Sequence, residues 1–160
     1  MSFVNFLRSC KSRLAVAGST KKVVVHMGNE ANDLDSIACG LVGAFLTSHV
    51  DDTRCSVPLL PLARADLTRC TDSVCALKLA GIDDDVREHG LFLDELGAPQ
   101  LAALQAAHRL ELTLLDHNKL STTMQPLAAS VVRIIDHHKD EQCYNAKQRT
   151  VACLFCVLSG

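Results

Sequence analysis

At 160 residues the chain is long enough to bury one core, and no apolar run in it is long enough to span a bilayer, so no membrane is expected as a partner. Hydrophobic residues at 48% and charged residues at 21% exclude an intrinsically disordered chain. A formal net charge of −2 with aromatics at only 4% excludes the basic, ring-rich face of a nucleic-acid binder. Eight cysteines in a chain this rich in core residues read as reduced, buried thiols rather than a disulfide scaffold. Cys153 and Cys156 have the spacing of a redox pair or half a zinc site, but no second pair completes one.

Residues 1–22 carry Arg8, Lys11, Arg13, Lys21 and Lys22 among serines, with no acid before Glu30. Phe3, Phe6 and Leu7 share a helical face, so the segment reads as an amphipathic first helix packed on the domain formed by residues 23–160. The same composition is that of a mitochondrial transit peptide. The expected location is therefore cytoplasmic, with mitochondrial as the alternative.

Residues 23–27 are apolar without alternation, the pattern of a strand buried on both faces. Gly28 breaks it, residues 29–33 form a turn, and Asp35 and Ser36 open a helix with Ile37, Leu41, Val42, Phe45 and Leu46 at helical spacing. A second strand is expected at 55–60, where Pro58 and Pro61 place it at an edge. Residues 62–70, with Arg64 and Arg69, read as irregular, and Thr71 caps a helix that Gly81 closes. Residues 82–90 read as a charged connection and 91–94 as a short strand. Pro99 opens a helix over 100–108, and strands follow at 111–115 and 130–135. Residues 151–158 are again apolar.

Strands alternating with helices predict an α/β domain: a parallel five-stranded sheet with helices on both faces. Ligands of such sheets collect at the carboxyl ends of the strands. Three of the predicted strands deliver metal-type ligands there: Asn29, Asp33 and Asp35 after the first, Asp116-His117-Asn118 after 111–115, and Asp136-His137-His138 after 130–135. Carboxylates brought together repel one another and lose hydration unless cations compensate. Oxygen and imidazole donors suit Mn²⁺ or Mg²⁺. Asp33 and Asp35 can face neighbouring ions, with Asp116 bridging them. Two ions about 3.5–4 Å apart can share a water, lower its pKa and clamp an in-line displacement at phosphorus. The residues thus point to a two-metal phosphoesterase.

The run from Gly28 to Ser36 resembles the first motif of the DHH phosphoesterase superfamily; Asp116-His117-Asn118 and Asp136-His137-His138 resemble its second and third. The opening Gly28-Asn29-Glu30 is similar to exopolyphosphatases and their prune-type relatives, whereas family II inorganic pyrophosphatases usually have histidine at the position of Asn29. The resemblance implies a Rossmann-like domain. It implies that Asp33 and Asp116 hold one Mn²⁺ or Mg²⁺, with Asn29 as a weak ligand or an orienter, and that Asp35, Asp116 and His137 hold a second. Asp116 and His138 would be the catalytic pair, Asp136 would orient His137, and His138, Arg64 and Arg69 would meet the substrate. The implied reaction is hydrolysis of the terminal phosphoanhydride of inorganic polyphosphate, releasing orthophosphate. Pyrophosphate is the alternative substrate, and a non-catalytic, prune-like interaction protein is the alternative of another class. The family's fourth metal-binding aspartate, its Gly-Ser-rich phosphate turn and its basic second domain have no counterpart after Asp140. The chain is therefore expected to be the first domain alone, truncated, with weak or no activity of its own.

Overall fold

The computed structural model describes residues 1–17, 21–145 and the short strand 149–150. A first helix, α1 (Phe3–Ala17), precedes strand β1 (Val23–Met27), helix α2 (Leu34–Val50) and strand β2 (Cys55–Leu59). Helices α3 (Thr71–Leu79), α4 (Asp83–His89) and α5 (Ala98–Ala106) come next, then strands β3 (Leu110–Leu115), β4 (Val131–Ile135) and β5 (Arg149–Thr150). Short 3₁₀ turns occupy Arg64–Arg69 and Gln125–Ser130. Cys153, Cys156 and the apolar run 151–158 lie outside the described residues. The six cysteines within them are free. No helix among the described residues is long and apolar enough to cross a membrane.

The sheet order is β2-β1-β3-β4-β5, and every pairing is parallel. Val23 stands between Cys55 and Leu110, and Met27 between Leu59 and Leu114, so the three central strands run level. Every residue of β1, β2 and β3 is buried, which covers both faces of that part of the sheet. On β4, Val132 and Arg133 are exposed. Phe6, Leu7, Met27, Leu59, Phe92, Leu101, Leu112 and Leu114 are among the large side chains fully buried in the core. Helix α1 packs on α4 and β2, and its Phe3 and Phe6 rings meet Phe45 of α2 at 5.2 and 5.6 Å.

Five full strands were expected; the sheet has four, extended only by the two residues of β5. The expected strand at 91–94 is a single bridge between Leu60 and Phe92. The reason is local. The Phe92 carbonyl accepts the N–H groups of Glu95 and Leu96, so the chain turns back before a ladder can form. The expected connection at 82–90 is helical instead. Asp83, Asp84 and Asp85 occupy its first turn and Arg87 and His89 its last, the order that the helix dipole favours. Arg87 also reaches back one turn to Asp83, Nε to Oδ2, at 2.9 Å.

The strand order reverses at β1. The chain leaves it for β2 on one side and returns to β3 on the other, which opens a crevice at the carboxyl ends of β1 and β3. Gly28 allows α2 to start close to that crevice, because a Cβ there would lie 2.5 Å from the Ser36 carbonyl oxygen.

Candidate metal centre

Three turns at the carboxyl ends of β1, β3 and β4 carry the acids. On the first, Asp33 takes the N-cap position of α2 but makes no side-chain cap bond, and Asp35 follows in the first helical turn. Both are exposed. On the second, Asp116 ends β3 with φ at +64°, a left-handed conformation that aspartate tolerates better than most residues. Its N–H still bonds the Ile135 carbonyl at 2.9 Å, so the backbone kinks without losing its partner on β4. The side chain is buried, with 6% of the residue exposed.

Asp116 is the point where the three turns meet. Ligand atoms of Asp33, Asp35 and Asp116 lie within 4.8 Å of one another, and so do those of Asp116, His137 and His138. Oδ1 of Asp116 is 3.1 Å from Nε2 of His137 and 3.7 Å from Nδ1 of His138. Oδ2 accepts Oγ of Ser36 at 2.7 Å and Nδ2 of Asn29 at 3.0 Å. The Asn29 side-chain oxygen is itself engaged, accepting the Ala31 N–H at 2.9 Å.

Asp136 was expected to orient His137, but its carboxylate reaches His138. Oδ1 accepts the His138 backbone N–H at 3.2 Å and lies 2.8 Å from its Nδ1, the short loop an aspartate makes with the residue two positions on. Oδ2 accepts Nδ2 of Asn118. Burial pushes Asp136 up, but the His138 and Asn118 hydrogen bonds outweigh it and hold the carboxyl below its usual range. The same bond raises His138 above its ordinary value. Asn118 also donates to the Lys139 carbonyl at 3.1 Å and accepts the Glu141 N–H at 2.9 Å, tying the β3 turn to the β4 turn. Burial lowers His117; its Nδ1 lies 3.0 Å from the Leu115 carbonyl, which can only accept, so that nitrogen carries the proton.

Among the described residues, no lysine or arginine pairs with Asp33, Asp35, Asp116 or Asp136. Arg64 and Arg69, expected at the substrate, are employed elsewhere. The Arg64 guanidinium donates to the Arg87 and Gly90 carbonyls, pairs with Glu95 at 2.6 Å and stacks 4.3 Å over the Phe92 ring. Arg69 pairs with Asp66 on its own 3₁₀ turn at 3.1 Å. The cations that do face the acids are Lys119 and Lys139, which line a cleft of about 340 Å³ with Asp116, Asp136 and His138. An adjoining cleft of about 270 Å³ shares Asn29, His117 and Lys119 with it. Ser36, Asn118, His117 and Lys119 went unassigned in the sequence reading, although the first three lie inside or beside the motifs. A larger cleft of about 430 Å³, lined by Arg13, Lys21 and Arg54, lies by the start of β2 and holds none of these ligands.

The donor set fits a hard divalent cation. Two groups of carboxylate and imidazole atoms share one buried carboxylate, and among the described residues no lysine or arginine is paired with it. Fold and site together define a parallel α/β domain with acidic and histidine groups able to hold metal. No family model and no solved structure matches the chain. It is 32% identical over 139 residues to exopolyphosphatase PRUNE1 of Bos taurus, covering 86% of this chain and 29% of that one. The corresponding protein of Rattus norvegicus is 32% identical over 143 residues, and that of Homo sapiens 32% over 138. The chain spans less than a third of the length of these relatives. Over most of its own length the chain is thus similar to proteins named exopolyphosphatase, the group to which its opening Gly28-Asn29-Glu30 is similar.

Proposed function

We propose that the protein is a metal-dependent hydrolase of the exopolyphosphatase type, removing orthophosphate from the end of inorganic polyphosphate. The observation that carries this reading is Asp116: buried, without a lysine or arginine, and common to both ligand groups. Asp33, Asp35, Asp116 and His137 are the residues that would hold Mn²⁺ or Mg²⁺, and ions bound there would supply a Lewis acid and a water of lowered pKa. The names of the relatives support the polyphosphate substrate.

The remaining roles belong to the chain itself. His138 is gripped at Nδ1 by Asp136, which fixes the ring and favours its protonated form. With Nδ1 occupied, Nε2 is the atom that would deliver a proton to the departing phosphate oxygen. Substrate contact, expected of Arg64 and Arg69, passes in this reading to Lys119 and Lys139, which line the same cleft as His138. Asn118 keeps the two turns in register while the substrate is bound.

Calorimetric titration with Mn²⁺ should show micromolar binding by the chain, lost on Asp116→Ala. Phosphate release from polyphosphate, measured beside release from pyrophosphate, should show the same loss and a preference for the longer substrate. Faster release from pyrophosphate would move the assignment to a pyrophosphatase. Absence of Mn²⁺ binding at micromolar metal would defeat both enzymatic readings in favour of an interaction protein.

A further inference from the structure

We infer that Ser36 and Asn29 are positioning residues that saturate one oxygen of Asp116 and thereby leave the other as its metal-facing atom. This rests on the metal-dependent reading above and adds to it the way the shared carboxylate is aimed. Each carboxylate oxygen has about two lone-pair directions. On Oδ2 both are taken, by the Ser36 hydroxyl at 2.7 Å and the Asn29 amide at 3.0 Å. Oδ1 receives neither of these donors and lies between the imidazole nitrogens of His137 and His138.

The donor directions follow from their surroundings. The Ser36 oxygen accepts the Asn29 backbone N–H at 3.1 Å, and the carboxylate can only accept, so the single hydroxyl proton points to Asp116. The Asn29 amide is oriented by the Ala31 N–H on its oxygen, which turns its NH₂ toward Asp116. That NH₂ is also 3.3 Å from the Asp116 carbonyl oxygen, so it holds backbone and side chain of the kinked residue together. Ser36 is 1% exposed, and bulk water therefore does not compete for its bond. The arrangement also explains why Asn29 can replace a ligand without emptying the position: it acts on the metal through Asp116.

The test is Mn²⁺ titration of the wild-type chain, Ser36→Ala, Asn29→Ala and Asp116→Ala, with thermal melting of each metal-free protein. Groups that orient metal ligands typically change affinity by about 10- to 100-fold when removed, so Ser36→Ala and Asn29→Ala should each bind Mn²⁺ that much more weakly. Their metal-free melting points should stay near that of the wild type. Should Ser36→Ala fail to fold, Asn29→Ala, on a partly exposed turn, carries the comparison. Binding by both folded variants within about twofold of the wild type, with Asp116→Ala still defective, would overturn the inference and leave the metal centre standing. A wild-type chain that binds no Mn²⁺ would instead remove the metal centre itself.

Discussion

Strand β3 carries a buried carboxylate near each end, and the chain treats the two in opposite ways. Glu111, 8% exposed near the amino end, is gripped by Lys22 at 2.9 Å and by Arg54 at 2.8 Å. Asp116, 6% exposed just past the carboxyl end, has no such cation; its partners are a hydroxyl, an amide and two imidazoles, and Asp33 and Asp35 add further negative charge. The first carboxylate is neutralised within the fold. The second keeps its charge available, which is the condition for attracting an external cation. The difference separates a structural acid from a candidate ligand acid more sharply than burial does.

The sharpest probe of how far the unpaired acids reach is His26, one residue before the end of β1. It is 3% exposed, and neither ring nitrogen has a hydrogen-bond partner. Burial, and then the Arg133 charge, lower it to about 4 from an ordinary 6.5. The neutral ring belongs to the fold and the unfolded chain takes the proton first. Stability is thus full above pH 6.5 and falls as pH drops toward about 4. At about 1.4 kcal/mol per unit the loss is roughly 3 kcal/mol, and His26→Met should flatten that limb of the urea-denaturation profile. If the carboxylates at the strand ends governed His26, its titration by NMR would instead move above 6.5 and the contrast between the two ends of the sheet would blur.

A smaller effect tests the contrast directly. In metal-free protein at alkaline pH, Glu111→Gln should destabilise by about 1 kcal/mol, since it strands two half-exposed cations. Asp116→Asn should stabilise by about 1 kcal/mol, the size of one like-charge repulsion at 4 Å in water. Opposite signs in denaturant midpoints sustain the comparison; equal signs break it. The smallest expected change is at His138. Asp136→Asn removes the carboxylate that raises it, so its NMR titration should fall back toward the ordinary histidine value. The raised pKa contributes stability that is fully present below the ordinary value and is lost as pH climbs through the raised one.

Much of the architecture was readable from local pattern. Residues 23–27 form the expected doubly buried strand, and Gly81, at φ +68°, follows the end of α3 as expected, whereas its start is capped not by Thr71 but at Cys70, which makes no side-chain cap bond. The three acid turns follow their strands because a parallel strand must end in a connection at one edge of the sheet. What escaped depends on distance along the chain or on local competition. The 91–94 run has strand composition, yet a local turn consumes its carbonyl. The 83–89 helix hid behind its charges. Arg64 is engaged by Phe92, Gly90 and Glu95, which lie more than 20 residues further along the chain. The bond from Ser36 to Asp116 joins residues 80 apart, which no spacing rule anticipates.

The left-handed turn at Asp116 bears on how such a centre could be lost. Of the residues able to replace aspartate there, asparagine and glycine accept that conformation with least strain. Both remove the carboxylate common to the two candidate ligand groups. Neither disturbs the strand beneath it, whose ladder the Asp116 N–H completes through the backbone. Chemistry and foldedness are therefore separable at this position: one substitution could silence the centre while the domain stays intact for other uses. A lineage in which the domain survives as a binding platform would need no more than that step.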